Sequence, residues 1–219
     1  MIIPVDLRLI EVSFALDALD DYLELLEKEI ERLEKIARAE KDSVFSKKGL
    51  SWNDPERQRA DEDYYYKVDY LFPFFFRGPF LVSLYALYES SITEIAQLIN
   101  NKQKNVISLD DLRGSFLERS NKYFKSIIGL KLYNNNDEWQ RIQMLSELRH
   151  TVVHANGRLN MLNTNIRKKI KNWEKRKIGI SVSHGFIVFD KNFTRETFRI
   201  VSNSLEALVN RYKQLYAIN

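Results

Sequence analysis

Cysteine is absent from the 219 residues. A disulfide framework, thiolate zinc and iron–sulfur sites and a cysteine nucleophile are therefore excluded. A secretory leader is not expected, because Asp6, Arg8, Glu11 and Asp17 interrupt the N-terminal apolar residues. Long apolar runs are also scarce. The nearest, residues 71–88, contains Pro73, Arg77, Gly78 and Pro79, and its last part alternates Ser and Tyr with aliphatics. That pattern predicts a buried helix approach rather than a membrane span, and a cytoplasmic protein without a membrane partner. Internal repeats and low-complexity segments are missing too.

What the chain does have is charge, unevenly placed. It carries 34 Lys and Arg against 30 Asp and Glu, a net of +4. Residues 1–100 hold 12 basic and 20 acidic side chains, whereas residues 101–219 hold 22 and 10. An acidic half joined to a basic half points to an anionic partner for the second, with nucleic acid the first candidate. The excess is concentrated further. Arg158, Arg167, Lys168, Lys169, Lys171, Lys175, Arg176 and Lys177 are opposed within residues 158–177 only by Glu174. Such a run is usually a solvated face. This one also carries Trp173, which makes it a candidate track for RNA phosphates.

The apolar pattern is mainly helical. Leu9, Val12, Leu16, Leu19, Leu23, Leu26, Ile30, Leu33 and Ala37 alternate three- and four-residue steps, predicting a long amphipathic helix over about 5–45. After a loop at Gly49, Asn53 and Pro55, residues 56–72 read as a second helix that Pro73 ends, and Gly78-Pro79 restarts the chain. A core helix over 80–100 follows. Tyr64–Tyr66 and Phe74–Phe76 read as core or dimer contacts rather than base-stacking platforms. Ser108 with Asp111 forms a capping box for a helix over 109–128 that Gly129 stops. Another helix runs from Glu138 to Ala155, and residues 163–176 form a basic one. An alternating pair of strands over about 178–189 turns at His184-Gly185, so that His184 reads as a turn residue. Thr194 is placed to cap a last helix. The expected fold is mainly α, an up-and-down helical bundle in a single domain over 1–219, with a long N-terminal helix and one small antiparallel hairpin.

The residues that carry chemistry lie in Glu147-Leu148-Arg149-His150-Thr151-Val152-Val153-His154-Ala155-Asn156-Gly157. A guanidinium is a permanent cation whose planar fork grips phosphate oxygens. An imidazole gives or takes a proton near neutral pH. Together they supply what phosphodiester cleavage without a metal or cofactor requires. The bland alternatives are an Arg149 that pairs with Glu147 or with the helix C-terminus, and a His150–His154 pair that would suit a metal but lacks a third ligand in the motif.

The stretch Arg149–His154 resembles the R-x4–6-H motif of the HEPN superfamily (higher eukaryotes and prokaryotes nucleotide-binding), and Asn156-Gly157 is a common continuation among its bacterial members. Residues 84–90 look like that family's central helix, often marked by a glutamate such as Glu89, and residues 116–123 like the helix before the motif. The likeness is best over 75–160. It implies a helical bundle that dimerises through the motif helices. It also implies metal-independent RNA cleavage, in which the ribose 2′-hydroxyl attacks the adjacent phosphate. Carried over, Arg149 binds the phosphate and His154 acts as general acid or base. Asn156 and Glu89 give support, and His150 stands where Asn or Asp is common. A toxin or defence effector restrained by an antitoxin or partner protein is the implied role. A non-catalytic module of the same fold, binding RNA, nucleotide or protein, is the alternative.

Overall fold

The computed structural model describes residues 7–49, 51 and 53–216. It is mainly helical, a helical bundle with a long first helix and one two-stranded antiparallel sheet. Helix α1 spans Leu7–Lys48. Its stripe is buried at Leu9, Val12, Leu16, Leu23, Leu26, Ile30 and Ala37, as the three-four spacing requires. Residues 5 and 6, where the spacing starts this helix, lie outside the described residues.

The prolines do not divide the next helices. Asp54 caps α2, Pro55–Tyr66, by accepting the Glu56 N–H, with Pro55 in the first turn. A π-turn at Lys67–Leu71 then leads straight into α3, Phe72–Gln103. The Phe72 N–H reaches back five residues to the Lys67 carbonyl. This wider turn moves the preceding carbonyls out of the path of the Pro73 ring, so the missing N–H costs one bond and not the helix. Pro79 lies inside α3 with its side chain exposed. Helical residues from Pro55 to Gln103 include a window apolar enough to cross a membrane by length and composition, and half of that window is buried inside the protein.

The capping box at Ser108 and Asp111 is present, but it starts only a 3-10 turn, Leu109–Asp111. Gly114, at φ +119°, breaks the chain there. A second box then starts α4, Phe116–Lys122: Ser115 accepts from the Glu118 N–H, and Glu118 accepts from Ser115. A π-turn at Tyr123–Ile128 ends at Gly129 in the left-handed conformation. Helix α5, Asn136–Ala155, begins where the Asn135 side chain accepts the Glu138 N–H. Helix α6 is Thr164–Lys175, capped by Asn163. Strands β1, Ile180–Ser183, and β2, Phe186–Phe189, pair from Ile180 opposite Phe189 to Ser183 opposite Phe186. His184 and Gly185 have positive φ, 49° and 81°, the requirement of a two-residue type I′ turn. The cap of α7, Lys191–Leu215, is Asp190 and not Thr194. Asp190 accepts the Phe193 N–H, while Thr194 is buried in the first turn with its hydroxyl donating to the Asp190 carbonyl.

The chain divides into two compact units. One comprises Met1–Asp20, Ser83–Glu147 and Glu196–Asn219; the other comprises Asp21–Val82 and Leu148–Arg195. In the first, Leu84, Ile92, Ile142, Leu145 and Leu205 are fully buried, and the Tyr88 hydroxyl donates to that of Tyr133 at 3.2 Å. Burial pushes both phenols well above the ordinary tyrosine range. In the second, Leu23, Leu26 and Ile30 are buried, as are Phe74, Ile187 and Phe189. A buried ion pair accompanies them. Arg77 donates to both Glu27 oxygens, at 2.8 and 2.7 Å, and to the Phe189 carbonyl at 2.9 Å. Glu27 is thus buried where Asp21 and Glu24, on the same helix, are exposed.

Candidate nucleic-acid interface

The motif residues occupy the last two turns of α5, within the second unit. Thr151 and Ala155 face inward and are buried, which leaves His150, Val153 and His154 exposed and Arg149 half-buried. Five residues at about 100° each place Arg149 and His154 about 140° apart around the axis. They therefore do not share a face of their own helix. His150 and His154, four apart, do: their rings lie 4.4 Å centroid to centroid at 45°. Among the described residues, no group of three or more His, Asp or Glu side chains gathers at metal-binding spacing.

Asn156 and Gly157 end the helix in the left-handed region, at φ +46° and +71°. Asn156 is exposed, and among the described residues its side chain makes no hydrogen bond to His154. Gly157 is there for space as well as conformation, since a Cβ would stand 2.3 Å from the Phe74 ring. The chain then runs along β2: the Ile187 N–H donates to the Gly157 carbonyl and the Leu159 N–H to the Gly185 carbonyl, both at 2.9 Å. This bridge pairs Arg158 with Phe186.

Beyond it the structure gathers part of the basic run. Arg158, Arg167 and Lys171 line a cleft of about 440 Å³ together with His184, Asn160 and Phe186. The guanidinium of Arg158 lies over the Phe186 ring at 5.4 Å, and that ring also packs against Tyr70 at 4.4 Å and Phe74 at 6.4 Å. His184 packs edge-on against Tyr66 at 5.2 Å. Tyr66, Tyr70 and Phe74 form a ladder down the helix, with ring spacings of 5.3 and 5.7 Å. Burial pushes the Tyr70 phenol up, and the neighbouring Arg158 partly opposes that rise.

Lys168, Lys169, Lys175, Arg176 and Lys177 are exposed but do not line this cleft. Trp173 is buried at 8% exposure beside Ile170, so it belongs to the core and offers no stacking face to RNA. The sole acid of the run is engaged elsewhere, because Glu174 accepts the Val182 N–H at 2.8 Å. Glu89 stands in the first unit. There it is half-buried and lines a groove of about 640 Å³ with Glu94, Asp110 and Arg119.

His184 is a turn residue, as its place in the sequence indicates, and the fold also puts it on the wall of this cleft, which no local pattern signalled. No family model, curated protein or solved structure matches the chain.

Proposed function

We propose that the chain is a metal-independent endoribonuclease of HEPN type. It acts in the cytoplasm as a homodimer through α5, as a toxin or defence effector held by an antitoxin or other partner protein. One observation carries the reading. Arg149 and His154 sit at one exposed helix end yet point about 140° apart, so a complete site needs the same helix of a second copy. In that composite site one His154 takes the proton from the ribose 2′-hydroxyl, and the 2′-oxygen bonds to phosphorus. Arg149 steadies the charge on the phosphoryl oxygens. The bond to the 5′-oxygen breaks, the partner's His154 protonates that oxygen, and a 2′,3′-cyclic phosphate remains.

The test is cleavage of a labelled RNA in EDTA. His154→Ala should lower the rate by about 10²–10⁴-fold, the usual share of proton transfer. Arg149→Ala should abolish detectable cleavage, with the dimer intact by sedimentation. Unchanged cleavage in both variants would refute the assignment. A second reading has its own support in the three cations of the Arg158 cleft: a module of the same fold that binds RNA without cutting it. It predicts salt-sensitive retention of RNA, with a slope set by the number of phosphates neutralised, and no cyclic-phosphate product.

A further inference from the structure

Three separate elements converge on the cleft beside the hairpin. Arg158 comes from the loop after α5, Arg167 and Lys171 from successive turns of α6, and His184 from the turn between β1 and β2. Two of the four groups are held in place before any ligand arrives. Arg158 is fixed by the backbone bridge to β2 and by the Phe186 ring, and His184 by Tyr66. No carboxylate lines the cleft, and among the described residues Arg158, Arg167 and Lys171 make no ion pair. Gathering three permanent cations without an acid costs mutual repulsion, which an anion would relieve.

We propose that this cleft binds a phosphomonoester: the dianionic terminal phosphate of a nucleotide or of an RNA strand. A diester within a strand brings one charge, which a single arginine can match. Three cations, one of them held in place, and an imidazole match a group that brings two charges and three terminal oxygens. The volume suits a mononucleotide. Phe186 lies between Tyr70 and Arg158, so it offers no ready platform for a base. The site therefore reads phosphate and is indifferent to the base. It depends on neither Arg149 nor His154, and it can stand if cleavage fails.

The experiment measures binding of four probes to the full chain at constant ionic strength. They are 5′-AMP, adenosine, and one RNA octamer with either a 5′-phosphate or a 5′-hydroxyl. The phosphorylated member of at least one pair should bind about ten-fold more tightly, one tenfold step of affinity. Preference within the nucleotide pair alone identifies a free nucleotide as ligand, and preference within the RNA pair alone identifies a strand end. Arg167→Ala/Lys171→Ala changes only exposed side chains of α6 and should erase the preference, while UMP should bind as AMP does. Arg149→Ala/His154→Ala should retain it, which separates this site from the cleavage reading. No preference in either pair, or a preference that survives Arg167→Ala/Lys171→Ala with the circular dichroism spectrum unchanged, overturns the proposal.

Discussion

Glu27→Leu tests the energetics of the second unit most directly. Glu27 and Arg77 are 3% and 8% exposed, and the guanidinium makes two bonds to the carboxylate and one to the Phe189 carbonyl. Removing the carboxylate leaves a permanent cation buried with one carbonyl for company. Breaking a buried pair from one side costs about 3–5 kcal/mol, a large share of the roughly 5–15 kcal/mol that holds a domain folded. Replacing both partners, Glu27→Leu with Arg77→Met, removes both charges and fills the space with apolar atoms. The remaining penalty is an unpaired Phe189 carbonyl, about 1–3 kcal/mol. The double variant should therefore be more stable than Glu27→Leu alone, although it carries one more substitution. Urea unfolding of the parent chain, Glu27→Leu, Arg77→Met and the double variant measures this, with equal slopes confirming that the folded state is comparable. A Glu27→Leu cost below about 1 kcal/mol, or additive single effects, would refute the reasoning.

Two further outcomes follow from geometry already described. Gly157→Ala puts a Cβ 2.3 Å from the Phe74 ring at a φ of +71°, so thermal unfolding should show a loss of at least about 1–2 kcal/mol. Gly78→Ala, whose nearest neighbour would be an ordinary 3.5 Å away, should be neutral or stabilising by up to about 1 kcal/mol; equal losses at both sites would contradict this account. The second outcome concerns acid. The Glu118 carboxyl is held below its usual range by the Ser115 hydroxyl and N–H, and Asp111 by the Ser108 N–H and hydroxyl. Because both folded-state values are depressed, the caps contribute above the ordinary carboxyl range and are lost as pH falls through the lowered values. Amide shifts of Ser108 and Ser115 should each titrate below the ordinary value of the carboxyl bonded to them, about 3.9 for an aspartate and about 4.3 for a glutamate. Glu118→Gln, which caps without ionising, should abolish the Ser115 transition, and a midpoint above about 4.3 would contradict the depression.

Local patterns were legible, and distant partnerships were not. The stripe from Leu9 to Ala37 specifies α1 because burial there repeats at the helical period, and every side chain that reveals it is close in sequence. His184-Gly185 specifies its hairpin in the same way. Pro73 misleads, since a residue that normally ends a helix is accommodated by a π-turn whose five-residue bond leaves no mark in composition. Ser108 and Asp111 form their capping box as residue types demand, yet the helix they announce waits for Ser115. Thr194 fits a cap by type, but Asp190 reaches the free N–H first. Glu27 and Arg77 lie 50 residues apart, and Arg158 and His184 lie 26 apart. No short-range rule pairs either couple. The basic run marked the right region, but only folding selected Arg158, Arg167 and Lys171 from it and turned Trp173 inward.

The π-turn at Lys67–Leu71 also sets what kinds of sequence change this region can absorb. Four-residue steps in an α-helix drift by about 40° each, so a regular helix would carry Tyr66, Tyr70 and Phe74 progressively off the hairpin. One wide turn takes up that drift and keeps the three rings in file, with Tyr70 and Phe74 against Phe186 and Tyr66 against His184. A single-residue deletion that restored regular geometry would rotate everything before it by about 100° relative to everything after. Tyr64 would leave its buried seat beside Lys41, and Tyr66 would leave His184. The segment should thus tolerate substitution far better than any change of length: its reading frame, more than its composition, is what the fold has to inherit intact.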